Sequence, residues 1–417
     1  MTGRGRRALA LAGALALGCE DEVRAPYDLD QIEEPSEDCV VVVHERLELG
    51  VELHQYLADA PGSVGGWALV SEEDDGVNPA KLALVRVPAS PEEPETAAIE
   101  LGYWGPGALH FELRAGIVPG EAWAFREAGG VVGLSKLRPG LGVVVETAYP
   151  ANDGGSSCPN FFTRQLLLIE GRPYVLALPN CSSSTALELQ LLEFDRNSLL
   201  LTNGWVLTFD PCASDPQCEL SGYPYKLGPI RGGESTRAAD ADRVEVGFTQ
   251  VRDFEVGLTS VDVSLLQLWL SAGAPNARIL SFQGVWLTPG NLGPVHLAQD
   301  LFSTQLHVRN GGNQLDAALL RFDASEELYL QIKSPSLLPL GGRGRLIQLD
   351  YQSAMIDAHE GALEAVPLID AETWPSWKPR TLLELDDLVG FEPAGLGHLL
   401  LRREHAPPQL VRLRCLG

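Results

Sequence analysis

The sequence predicts an all-β fold, a β-propeller of roughly six to eight blades whose N- and C-terminal strands close the ring. Three observations predict it. Short runs of β-formers alternate with clusters of Gly, Pro, Asn and Asp along the whole body. Helical periodicity is nearly absent, with Ala354 to Leu363 the single stretch that allows a short helix. A faint strand–turn–strand repeat recurs about every 50 to 75 residues, somewhat longer than the usual blade period.

In order, the strand-like runs are Trp67 to Val70, Leu82 to Val87, Val143 to Thr147, Leu166 to Ile169, Tyr174 to Leu178 and Leu187 to Phe194. They continue with Val244 to Phe248, Val263 to Leu270, Gln305 to Val308, Ala317 to Phe322, Leu328 to Ile332 and Leu399 to Arg402. Four of them align as copies: Leu82-Ala-Leu-Val-Arg-Val, Leu189-Gln-Leu-Leu-Glu-Phe-Asp195, Leu265-Leu-Gln-Leu-Trp-Leu and Ala317-Ala-Leu-Leu-Arg-Phe-Asp323. Each is preceded by a further strand, at Trp67, Tyr174, Val244 and Gln305 respectively. Degenerate copies are expected near Leu134 and Leu383. A lone sheet leaves both faces wet, whereas radial packing buries each face on a neighbour. The competing arrangement is a pair of β-sandwiches.

The first residues have a different character. Arg4, Arg6 and Arg7 precede an apolar run from Ala8 to Leu17, which ends in Gly18-Cys19. Basic, apolar, then small is the layout of a secretory signal. The run is about half the roughly 20 residues a spanning helix needs. Ala16-Leu17-Gly18-Cys19 resembles the bacterial lipobox, although that family prefers Leu where Ala16 stands. The resemblance implies cleavage before Cys19 and acylation of its thiol. The expected organisation is a signal peptide over 1–18, an acidic tether over 19–38 and the propeller over 39–417. Glu20 to Asp38 is acidic, carries Pro26 and Pro35 and has no apolar period, as a solvated tether should. Glu20 is not the Asp that, in some enteric bacteria, resembles an inner-membrane retention signal. The resemblance thus implies the cell envelope, and the outer membrane of a Gram-negative bacterium. The body is similar to β-propeller lipoproteins in general, without a clean W-D or kelch signature.

The formal charge of −25 argues against nucleic acid, because such a surface repels phosphate backbones. It also disfavours anionic lipid. Hydrophobic residues make up 45%, enough for a large core.

Apart from Cys19, six cysteines remain: Cys39, Cys158, Cys181, Cys212, Cys218 and Cys415. An even number in an exported chain implies disulfides, and six thiols allow fifteen pairings. Cys212 with Cys218 would close a short polar loop. Cys158 and Cys181 flank an apolar, hairpin-like segment. Cys39 and Cys415 would tie the first strand to the last, which fits the ring closure. No C-x-x-C pair occurs, so a zinc site is not expected.

Motifs that carry chemistry are scarce. There is no G-x-S-x-G elbow, and His359-Glu360 lacks the second His of H-E-x-x-H. Glu72-Glu-Asp-Asp-Gly76 does not alternate as a calcium loop does. No cofactor is expected. Trp374-Pro-Ser-Trp377 is the one aromatic pair placed to form a recognition surface. The expected function is that of an exported, lipid-anchored binding or scaffold protein of the envelope. Its partners would be the bilayer, through acylated Cys19, and an envelope protein or glycan. The alternative is an extracytoplasmic carbohydrate-active hydrolase or lyase on the same fold, working through paired carboxylates.

Overall fold

The computed structural model describes residues 40–47, 52–59, 65–71, 81–103, 109–128, 131–150, 161–179, 187–209, 243–253, 259–285, 292–299, 303–310, 317–323, 328–332, 340, 344–349, 353–368, 379–394, 397–406 and 408–416. Their strands form seven antiparallel sheets in the order of the chain, a seven-bladed β-propeller.

Blade 1 is β2 (Glu52–Ala58), β3 (Gly66–Ser71), β4 (Lys81–Val87) and β5 (Ile99–Tyr103). Blade 2 is β6 (Leu109–Ala115), β7 (Ala122–Ala128), β8 (Val131–Arg138) and β9 (Gly142–Pro150). Blade 3 is β10 (Phe161–Ile169), β11 (Arg172–Pro179), β12 (Leu187–Phe194) and β13 (Leu201–Phe209). Blade 4 has three described strands, β14 (Arg243–Asp253), β15 (Thr259–Ser271) and β16 (Ala274–Val285). Blade 5 is β17 (Leu292–Gln299), β18 (Ser303–Asn310), β19 (Ala317–Asp323) and β20 (Leu328–Ile332). Blade 6 is β21 (Arg345–Gln348), β22 (Ser353–His359), β23 (Ala362–Pro367) and β24 (Arg380–Glu384). Blade 7 joins the two ends of the domain: β25 (Leu388–Pro393), β26 (His398–Arg403) and β27 (Gln409–Leu416) are completed by β1 (Val40–Leu47).

The expected ring closure is therefore present. β1 pairs antiparallel with β27, Val40 facing Leu416 and Val41 facing Cys415. Leu134 and Leu383 both lie on blade strands, β8 and β24. The stretch Ala354 to Leu363 is not the expected helix. It is β22, a turn and the start of β23. The reason is local: Glu360 and Gly361 both have positive φ, 51° and 79°, the pair of angles a tight type I′ hairpin requires. Glu170-Gly171 and Ala272-Gly273 make the same turn in blades 3 and 4.

The core is distributed between blades. Trp67 and Leu84 of blade 1 pack on Leu113 and Leu137 of blade 2. Trp123 and Phe125 meet Leu166 and Val175 of blade 3. Leu176 and Leu191 meet Val246 and Leu266 of blade 4. Ala298 and Leu319 of blade 5 meet Leu346 and Met355 of blade 6. Ile356 and Leu363 meet Phe391 and Leu399 of blade 7. Leu400 and Leu410 meet Leu53 and Tyr56, which brings the ring back to blade 1. Blades 4 and 5 touch at Gly247, where a Cβ would lie 2.7 Å from methyls of both Leu306 and Val295. Each fully buried Leu or Phe contributes roughly 1.5–3 kcal/mol, so every blade depends on both neighbours.

Candidate functional site

The first strand of each four-stranded blade lies toward the ring axis, β2 beside β6, β6 beside β10 and β17 beside β21. One edge of such a strand is hydrogen-bonded to the second strand. The backbone groups of the other edge need partners elsewhere. Side chains of neighbouring inner strands supply some of them. The Leu166 N–H donates to Glu112 Oε2 at 3.0 Å, and Arg114 Nε donates to the Leu166 carbonyl at 3.3 Å. On the other side of the ring Arg345 Nη1 donates to the Phe391 carbonyl at 3.1 Å, with its guanidinium 5.5 Å from the Phe391 ring centroid. These charged residues act on the neighbouring strand's backbone.

Turns joining first to second and third to fourth strands gather on one axial side of the ring, the upper side. The densest polar grouping among the described residues sits there, over blades 1 and 2. Arg86, at the end of β4, is 8% exposed. It donates from Nη1 and Nη2 to the two oxygens of Asp59, at 2.5 and 2.6 Å. From Nε and Nη2 it donates to the two oxygens of Glu93, at 2.6 and 2.9 Å. The guanidinium also stands 5.6 Å from the Trp67 ring centroid, while Trp67 Nε1 donates to the Gly120 carbonyl across the blade boundary at 2.9 Å. Burial works against the Arg86 charge, but the hydrogen bonds it donates to Asp59 and Glu93 outweigh it and raise its pKa. Arg86 in turn holds the Glu93 carboxyl below its ordinary value of 4.5.

Next to this clamp, Glu121 is buried and takes Lys136 Nζ at 3.2 Å and Arg138 Nη2 at 2.9 Å. Lys136 also lies 5.2 Å from the Trp123 ring centroid. In blade 3, Glu193 accepts from Asn203 Nδ2 at 2.7 Å, Arg172 Nη1 at 3.2 Å and the Tyr174 hydroxyl at 3.3 Å. Burial first, and then Glu193, push the Tyr174 pKa up. In blade 4, Glu245 accepts from Gln267, which accepts in turn from Arg278, a ladder across three strands. Each of these carboxylates faces a cation or an amide. Asp59 and Glu93 share one guanidinium, and that contact lowers the Glu93 pKa, the opposite of what the acid of a glycoside hydrolase needs. There one carboxyl is kept protonated as the acid, with a raised pKa.

The upper side carries apolar side chains as well. Leu141, in the β8–β9 turn, is 70% exposed, and Leu200, in the β12–β13 turn, is 65% exposed. Val118 and Leu201 are exposed beside them in the chain order of the same blades. Asp195 folds the second of these turns by accepting from the backbone of Asn197 and Ser198 and from the Ser198 hydroxyl.

Of the residues singled out by sequence, Cys19, Cys39, Cys158, Cys181, Cys212, Cys218, Trp374 and Trp377 lie outside the described residues. Cys415 is on β27, across from Val41. No group of metal-ligating side chains occurs among the described residues, and no described helix is long and apolar enough to cross a membrane. Sequence reasoning missed the Arg86 clamp. Its one trace is an Arg inside an otherwise apolar strand, Leu82 to Val87, seven residues from Glu93.

No family model matches the chain, and no curated protein matches it. Solved structures similar to it are propellers. One is the β-propeller domain of the Trilobed protease from Pyrococcus furiosus, at 11% identity and TM-score 0.45, covering 88% of this chain and 98% of that one. Another is the WD40 domain of SCAP from fission yeast, at 8% identity and TM-score 0.46, covering 91% and 98%. A third is the Penicillium chrysogenum alpha-L-arabinanase, at 8% identity and TM-score 0.39, covering 77% and 95%. At these identities the neighbours carry no activity over to this chain. The seven-bladed fold rests on its own sheet order.

Proposed function

We propose that this protein is an exported, lipid-anchored β-propeller that acts as a binding or scaffold protein of the cell envelope. Acylated Cys19 holds it to the outer membrane of a Gram-negative bacterium, and a loop face of the ring meets an envelope protein or glycan. The observation that carries the anchor is Ala16-Leu17-Gly18-Cys19 behind an apolar run, followed by an acidic, Pro-containing stretch. The pairing of the carboxylates favours binding over hydrolysis. Asp59, Glu93, Glu121 and Glu193 are each paired with Arg or Lys, which ties them into the frame of the blades. The −25 charge keeps such a domain soluble beside a membrane and directs it away from phosphate-rich partners.

The deciding experiment is the mass of the N-terminal peptide from protein recovered in a bacterial membrane fraction. A peptide that begins at Cys19 and carries acyl mass is the expected result. An unmodified N-terminus cut elsewhere, on soluble protein, overturns the anchor. Turnover of an envelope polysaccharide by the purified chain would overturn the non-enzymatic reading.

A further inference from the structure

The path of the chain fixes which side of the ring the N-terminal segment joins. β25 to β26 is an upper turn, so β26 runs downward and β27 runs back up, ending at the upper side. Val40, the first residue of β1, faces Leu416 near the end of β27. The chain leading back to Cys19 therefore joins the domain at the upper side.

The same side carries Val118, Leu141, Leu200 and Leu201, all exposed. The turns of blades 2 and 3 share one side by direct contact as well, since a Cβ on Gly171 would run into Ile117. Charges on these turns balance. The acids Glu121, Glu170 and Asp195 are accompanied by Arg138, Arg172 and Arg196. In a chain of net charge −25 the turns of blades 2 and 3 are neutral as a group and carry apolar side chains on the attachment side, bordered by Glu92 and Glu95 of the blade 1 turn that packs on Gly140.

We infer that the upper turns of blades 2 and 3 form a shallow docking surface for a zwitterionic lipid bilayer. This rests on the lipid-anchor reading above. The anchor supplies proximity, and Leu141 and Leu200 enter the headgroup region. Exposed leucines on turns gain from leaving water at such an interface. The acidic remainder of the domain restricts docking to lipid without net negative charge.

The test uses the full chain, with acylation first verified by the N-terminal peptide mass, in phosphatidylcholine vesicles. Hydrogen exchange is compared with a soluble Cys19→Ser form. The expected result is exchange slowed about fivefold or more at 140–141 and 196–200, and unchanged on the lower side at 360–361 and 404–406. Leu141→Asp with Leu200→Asp should abolish the slowing while the protein stays anchored. Acylated, vesicle-bound protein with equal exchange on both sides overturns the docking surface and leaves the anchor standing. A chain without acyl mass overturns both. Slowing that appears without vesicles and grows with protein concentration assigns the patch to a second copy, and slowing seen only on phosphatidylglycerol assigns it to charge. Either outcome also overturns the inference.

Discussion

Arg86 binds Asp59 through two parallel hydrogen bonds, Nη1 to Oδ1 at 2.5 Å and Nη2 to Oδ2 at 2.6 Å, and so fastens the end of β2 to the end of β4. The same guanidinium binds Glu93. Removing it strands two carboxylates at a site that is nearly dry. Arg86→Met should cost about 3–5 kcal/mol of stability, read from denaturant unfolding. Arg86→Lys should recover only a minor part of this, because an ammonium cannot serve two carboxylates in fork geometry. A lysine variant as stable as the wild type would show that charge alone matters here.

The clamp also makes stability depend on pH. Hydrogen bonding by Arg86 holds the folded-state pKa of Glu93 below 4.5. A depressed carboxyl stabilises the fold fully above its unfolded value, and that contribution fades as pH falls through the folded one. Thermal unfolding followed from pH 6 down to pH 3 should steepen below about pH 4.5, and Glu93→Gln should flatten the curve. An unchanged slope in the variant would mean that Glu93 is not held by Arg86 in solution.

Two glycines separate backbone strain from packing. Gly171 and Gly273 both have positive φ, 66° and 79°, in the second position of tight hairpin turns. A Cβ on Gly171 would meet Ile117 of the neighbouring blade, whereas nothing lies within 4 Å of one on Gly273. Gly273→Ala should cost about 1 kcal/mol, the penalty of the left-handed conformation. Gly171→Ala should cost about 1–3 kcal/mol more, from crowding at the boundary between blades 2 and 3. Equal melting temperatures for the two variants would remove that boundary contact.

The cysteine at the seam gives a fourth test. The register puts Val41 across from Cys415, and Cys39 lies two residues before Val41 in sequence. Peptide mapping under non-reducing conditions should recover Cys39 joined to Cys415. Cys415→Ser should then cost about 2–5 kcal/mol, since such a bond would close nearly the whole domain into one loop. Recovery of both as free thiols would leave the seam to hydrogen bonds and packing alone.

Much of this architecture is legible in the residues, and the parts that are not have a common cause. The four aligned copies fall on β4, β12, β15 and β19, strands whose residues Leu84, Leu191, Leu265 and Leu319 are fully buried. Burial on both faces makes their apolar runs continuous and easy to read. The inner strands read poorly. In β6, Glu112 and Arg114 look like surface residues, yet their side chains serve the backbone of Leu166, more than fifty positions away. The Arg86 clamp is hidden for the same reason, because Asp59 lies 27 residues from Arg86 and no local pattern links them. The misread helix at Ala354 to Leu363 shows the converse. Apolar spacing alone points to a helix there, while Glu360-Gly361 is the hairpin signal that decides against it.

β1, the strand that completes blade 7, is also where the N-terminal chain joins the domain. Any mechanical load carried by the chain before Val40 is delivered directly to the strand that locks the ring. A pull that draws Val40 away from Leu416 acts at one end of the ladder and opens it rung by rung, in place of shearing all its hydrogen bonds together. A propeller pulled from this end would thus yield at its seam first, with the six other blades still folded.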